Sequence, residues 1–193
     1  MPTLQRWATF LTQEKGSAPE AMTTIRHENS TYRTFGDLPA TGSRAPDVSL
    51  VNTKLQNASL ANWLGIRKVM NIVLSIDTEV CAKSVIEFDR RAENLTDVAI
   101  LTVSYDLPFA YQRFFEKHEL NNIIGLSAIR HEGFGENYGV QIVDGPFAGM
   151  FSRAVVVLDE NNTVVHQEHL DDIVTEPNYD AAFRALGISS DED

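Results

Sequence analysis

The sequence holds one cysteine, Cys81, and its setting decides what a lone thiol can do. From there Cys81, Val85, Phe88, Ala92 and Leu95 recur at alternating steps of four and three, the spacing of one helix face. An amphipathic helix is therefore expected from Glu79 to Asn94, with Cys81 in its first turn and Asp77 and Thr78 just before it as N-cap candidates. Unpaired N–H groups and the positive end of the helix dipole favour a thiolate there, and the thiolate is the form that attacks electrophiles. The competing interpretation is structural. Free cysteine is among the most buried residue types, and Cys81 lies on the helix's own apolar stripe.

Other chemistry-bearing residues are dispersed. None of the five histidines, His27, His118, His131, His166 and His169, makes a metal spacing with Cys81. His166 and His169 form the nearest pair, but three steps along a strand place them on opposite faces, so a shared metal is not expected. The run GFGENYG from Gly133 to Gly139 is glycine-rich yet lacks the strand–turn–helix setting and the lysine of a phosphate loop, and is expected to be a turn. Asp171, Asp172, Glu176 and the terminal SSDED read as solvated acidic surface.

The elements that must position Cys81 follow from pattern. TFGDLPATGSRAPD, from Thr34 to Asp47, is dense in turn formers, and the folded core is expected to begin near Val48. VSLVN and the run KVMNIVL at Lys68 to Leu74 read as a strand pair around a helical turn at SLANWLG, with the second run a central strand. The cysteine helix follows, then a strand over Val98–Ser104 and a second helix opened by Pro108 at a position that tolerates a missing N–H. NIIGLSA supplies another strand, and Ala154–Glu160 pairs through an Asn161-Asn162 turn with VVHQEHL. A last helix, YDAAFRALG, stops at Gly187. This succession demands an α/β protein with a mixed central sheet flanked by helices on both faces, in the order of the thioredoxin fold.

Composition narrows the class. A chain of 193 residues, 43% hydrophobic, supports one well-buried core. The expected division is an N-terminal extension over 1–33, partly flexible, one domain over 34–187, and an acidic tail over 188–193. A formal net charge of −11 repels phosphate backbones and anionic lipid, so neither nucleic acid nor membrane is an expected partner. No apolar run reaches the roughly 18 residues of a spanning helix, and the first twenty-one residues are too polar for a signal peptide. One cysteine cannot form an internal disulfide, which suits a reducing, cytoplasmic setting.

SIDTEVCAKS around Cys81 closely resembles the corresponding segment of the thiol peroxidase branch of the peroxiredoxins. DLPFAYQRF from Asp106, YGV at Tyr138, DGPFAGMFSRAVVVLDE from Asp144 and TEPNYDAA from Thr175 resemble the same family in the same order, covering about residues 34–187. The resemblance implies that Cys81 is the peroxidatic nucleophile. It further implies that Thr78 hydrogen-bonds the thiolate and peroxide, and that Arg153 stabilises charge on both. Without the family, Thr78 reads as a helix cap and Arg153 as a surface charge at a strand edge.

Two positions depart from the family pattern. Leu74 stands where peroxiredoxins generally have proline, and Phe115 stands where relatives carry a resolving cysteine. Leucine keeps the apolar shield but loses the fixed φ and gains an N–H, so slower peroxide attack is expected. With no second thiol, a Cys81 sulfenic acid must be reduced from outside, by a small thiol, a thioredoxin-like protein or another subunit's Cys81. The expectation is thus a one-cysteine peroxidase without cofactor or metal, working as a homodimer. The alternatives are a thioredoxin-fold redox sensor or binding protein with little or no turnover, and an inert fold kept for protein contacts.

Overall fold

The computed structural model describes residues 22–131 and 133–188. The first twenty-one residues and the end of the acidic tail, named above as extension and tail, lie outside that range.

A seven-stranded mixed sheet forms the body, in the order β4-β3-β7-β6-β5-β8-β9. Its strands are β3 (Leu50–Asn52), β4 (Asn57–Ala58), β5 (Arg67–Ile72), β6 (Val98–Ser104), β7 (Ile123–Ser127), β8 (Ala154–Leu158) and β9 (Val164–His169). β5 and β6 pair in parallel, as do β6 and β7, while β8 runs antiparallel to β5 and β9. A strand paired on both sides and covered on both faces needs an apolar side chain at nearly every step, and β5 and β6 supply that run. β3 and β5 are not a strand pair, however. β3 pairs with β4 and β7, so β6 and β7 stand between it and β5.

Alternation along the strands divides the core in two. On one face, Val69, Val73, Ile100, Val155 and Val157 pack against three helices, α1 (Glu79–Arg91), α2 (Pro108–His118) and α4 (Tyr179–Ala185). On the other, Met70, Ile72, Leu101, Val103, Val156 and Leu158 pack under a 3-10 turn at Leu60–Trp63 and the short α3 (Gly133–Asn137). Helices therefore cover both faces, unequally. The residues expected to form a turn at Gly133 include this helical turn, because Phe134 buries its ring against Tyr138, with centroids 4.4 Å apart, and against Phe151.

Helix ends follow local chemistry. α1 stops three residues before the expected Asn94, with Ala92 closing onto the Phe88 carbonyl, while Leu95 still packs on the core. α2 ends at Glu119 in the left-handed region, φ 55°. α4 ends before Gly187, φ 75°, as its glycine predicts.

The stretch expected as an extension contains a β-hairpin, β1 (Thr24–His27) with β2 (Ser30–Arg33). Ile25 is wholly buried with Ile142 and Ile173. The Arg26 N–H donates to the Asp171 carbonyl at 2.6 Å, and the Ile173 N–H donates back to the Arg26 carbonyl at 3.1 Å. The packed unit thus begins ahead of Thr34, the expected boundary.

Candidate active site

The loop from Val73 to Thr78 connects the end of β5 to α1. Thr78 occupies the N-cap position, and Cys81 is the third residue of the helix. The first N–H bonded along the helix is that of Ala82, to the Thr78 carbonyl at 2.9 Å. The N–H groups ahead of it, including that of Cys81, are the ones a helix start leaves without an intrahelical acceptor. Cys81 is 1% exposed, packed among Val73, Ile76, Val85 and Tyr111. Both sequence-based interpretations of this cysteine therefore describe its place: it is a core residue and it stands at a helix start.

Thr78 does not cap the helix through its side chain. Its hydroxyl turns back and donates to the Ser75 carbonyl at 3.0 Å. That commits the proton of Oγ1 and leaves the oxygen as an acceptor.

Arg153 directly precedes β8 and is 1% exposed. It donates through Nη1 to the Thr175 carbonyl, while its Nε is buried without a hydrogen-bond partner. Among the described residues no ion pair includes it. Two facts place it beside the cysteine loop. Alternation puts it on the face of Val155 and Val157, which belong to the Cys81 cluster, and the ladder pairs its neighbour Ala154 with Ile72. Tyr179 borders the same region: it packs edge-on to Phe88 at 5.1 Å and donates to Glu176 at 2.9 Å. Burial, foremost, pushes the Tyr179 phenol up, and the nearby Arg153 charge partly opposes the shift. The surface-charge alternative for Arg153 is excluded by its burial.

The two departing positions are both half-buried. Leu74 packs against the Cys81 cluster and also against the cluster of Ile25, Ile142 and Ile173, so it ties the cysteine loop to the hairpin region. Phe115 sits beside Tyr111 at 5.7 Å and Phe114 at 6.4 Å, an aromatic packing role. His166 and His169 lie on β9, and the His169 ring meets the Ser152 hydroxyl at 2.7 Å.

Residue type alone does not mark Asp106, yet it holds the cysteine loop. Its carboxylate accepts from the Ser75 hydroxyl at 2.9 Å, the Ile76 N–H at 2.8 Å and the Ser104 hydroxyl at 2.7 Å. The available signal was positional: Ser104 ends a parallel strand, and loops at the carboxyl ends of such strands carry sites.

A buried thiol at a helix start, on the same sheet face as a buried arginine whose Nε lacks a partner, is an arrangement suited to cysteine-based redox chemistry. Comparison with known proteins gives the branch. The redoxin family model matches residues 40–183. Thiol peroxidases of Mycobacterium bovis and Mycobacterium tuberculosis are each 43% identical over 166 residues, covering 86% of this chain and 99% of theirs. A peroxiredoxin-like protein from Aquifex aeolicus superposes with a TM-score of 0.80 at 30% identity, covering 86% of this chain and 98% of that one. A thiol peroxidase from Chromobacterium violaceum gives 0.79 at 25% identity, covering 85% and 95%. The chain belongs to the redoxin family, in its peroxiredoxin-type thiol peroxidase branch.

Proposed function

We propose that this chain reduces hydrogen peroxide or organic hydroperoxides in a one-cysteine cycle at Cys81. The observation that carries this reading is Arg153: a guanidinium 1% exposed, with a buried Nε left unpaired, on the cysteine's face of the sheet. A buried cation without a carboxylate is costly, and a site that binds and develops negative charge gives it a reason to be there.

The Cys81 thiolate attacks one peroxide oxygen. The S–O bond forms as the O–O bond breaks, giving Cys81 sulfenic acid and an alkoxide or hydroxide that takes up a proton. Arg153 stabilises the thiolate and the leaving oxygen. The hydrogen bond expected from Thr78 to the thiolate takes a different form here: with its proton given to Ser75, Oγ1 is suited to accept from the peroxide O–H and so orient it. Two external thiols then return the sulfenic acid to thiol, releasing water and a disulfide. Phe115 in place of a second thiol supports that external step, and the reductant is a small thiol or a thioredoxin-like protein. No metal or cofactor is required. We place the enzyme in the cytoplasm, as a homodimer.

Steady-state consumption of hydrogen peroxide and cumene hydroperoxide, with dithiothreitol, glutathione or a thioredoxin system, tests this. Many turnovers that vanish in Cys81→Ser are expected. One equivalent consumed and then arrest under every reductant would favour a redox sensor; no consumption would end the peroxidase assignment.

A further inference from the structure

We infer that Asp106 is a positioning residue for the Cys81 reaction: its carboxylate, braced through Ser104 against Tyr111, sets the loop that aligns Thr78 and Cys81. The inference rests on the peroxidase assignment above.

The hydrogen bonds of the loop converge on this carboxylate. Oδ1 accepts from the Ser75 hydroxyl, and Oδ2 accepts from the Ile76 N–H and the Ser104 hydroxyl. Ser75 passes the restraint forward. Its Oγ accepts the Asp77 N–H at 3.1 Å, and its carbonyl accepts both the Thr78 N–H at 3.1 Å and the Thr78 hydroxyl. On the other side Asp106 is locked to its own strand, its N–H donating to Ser104 Oγ at 2.9 Å. Because Ser104 gives its proton to Asp106, the 2.7 Å contact with Tyr111 is a bond donated by the tyrosine. Tyr111 is wholly buried in the Cys81 cluster, and its ring lies so close over Gly125 that a Cβ there would stand 2.6 Å from it. A continuous chain thus runs from α2 and β6 to the residue preceding the catalytic helix.

Asp106 serves the site through the hydrogen bonds that fix Ser75 and Ile76. Two acceptor oxygens hold three donors, one of them a backbone N–H that cannot reorient. Asparagine offers one acceptor oxygen and turns an NH2 toward donors, so it loosens the loop at unchanged size. Displacement at peroxide oxygen needs Cys81, Thr78 and Arg153 in alignment, and a misplacement of about 1 Å is enough for a hundredfold loss. Alkylation of the same sulfur needs no such alignment.

The test compares rapid-mixing rates of peroxide reduction with rates of Cys81 alkylation by iodoacetamide at one pH, in wild type, Asp106→Asn, Ser75→Ala and Tyr111→Phe. Asp106→Asn is expected to slow peroxide reduction by about tenfold or more while alkylation changes less than about threefold. Ser75→Ala and Tyr111→Phe should shift the ratio in the same sense by less, and they carry the test if Asp106→Asn does not fold. Peroxide and alkylation rates falling together, or variants that match wild type, would overturn the inference. If wild type itself consumes no peroxide, the peroxidase assignment fails. Amide hydrogen exchange at residues 76–78 then reads the restraint directly: faster exchange in Asp106→Asn supports it and unchanged exchange refutes it.

Discussion

A guanidinium held away from water must be matched by charge or hydrogen bonds, and Arg153 has one carbonyl bond and an unpaired Nε. Replacing such a residue with an apolar one of similar length removes a desolvation penalty along with the charge, so stability and activity should move in opposite directions. Arg153→Met is expected to lower peroxide reduction by about a hundredfold or more, with a melting temperature equal to or above wild type. Parallel loss of both would make Arg153 a structural residue. Thr78 allows a finer test. Thr78→Ser keeps the hydroxyl bonded to Ser75 and should stay near wild type, while Thr78→Val should lose about tenfold or more. At this scale residue type alone singles out Cys81 as a candidate, whereas Thr78 and Arg153 come forward only through family likeness. A threonine before a helix and an arginine before a strand each have a common structural explanation, and what sets it aside, the Thr78 bond to Ser75 and the burial of Arg153, is not written locally. Asp106 was hidden for the same reason: its partners Ser75 and Ile76 lie about thirty residues away along the chain.

The elements themselves were legible because their periods are strong. The β6 bounds and the starts of α1, α2, β8 and α4 stand where apolar spacing, Pro108 and the cap candidates put them. The sheet order near β3 was not legible, since a short strand between turns does not state its partner. The hairpin over Thr24–Arg33 offers one core residue, Ile25, too little for a period. Elements are also tied by charge: Glu87 on α1 accepts from Arg90 and Arg91, and Arg91 reaches Asp180 on α4. These bonds, the one from Arg90 foremost, hold the Glu87 carboxyl down at about 2, against an ordinary value of 4.5. A carboxyl lowered in the folded state adds stability that is fully present above its unfolded pKa and is lost as pH falls through the folded value. The difference in melting temperature between wild type and Glu87→Gln should therefore be constant at neutral pH and shrink from about pH 4.5 toward pH 2. A difference that is independent of pH would mean the ion pairs contribute nothing. Ile25→Ala tests the hairpin: a loss of about 2 kcal/mol or more is expected if it belongs to the cooperative unit. A loss near zero in denaturant melts would make the hairpin a separable arm.

Across the whole molecule, one sulfur must serve every step, and its burial limits what can reach it. Cys81 is 1% exposed, in a cluster that includes Tyr111 and has Phe115 packed against it. A disulfide needs Cβ atoms roughly 4 Å apart, so two subunits could join Cys81 to Cys81 only by opening the first turn of both helices at once. A small peroxide or a small thiol makes no such demand. Of the external reductants the sequence leaves open, another subunit's Cys81 is therefore the least compatible with the fold. Peroxide added without thiol should leave Cys81 as sulfenic acid, trapped by dimedone, and excess peroxide should carry it on to sulfinic acid. On non-reducing gels the oxidised chain should run as a monomer, and intact mass should show one and then two added oxygens. A covalent dimer as the main product would mean that the first turn of α1 opens readily in solution, and that the sulfur reaches its reductant by local unfolding and not by admitting a small thiol.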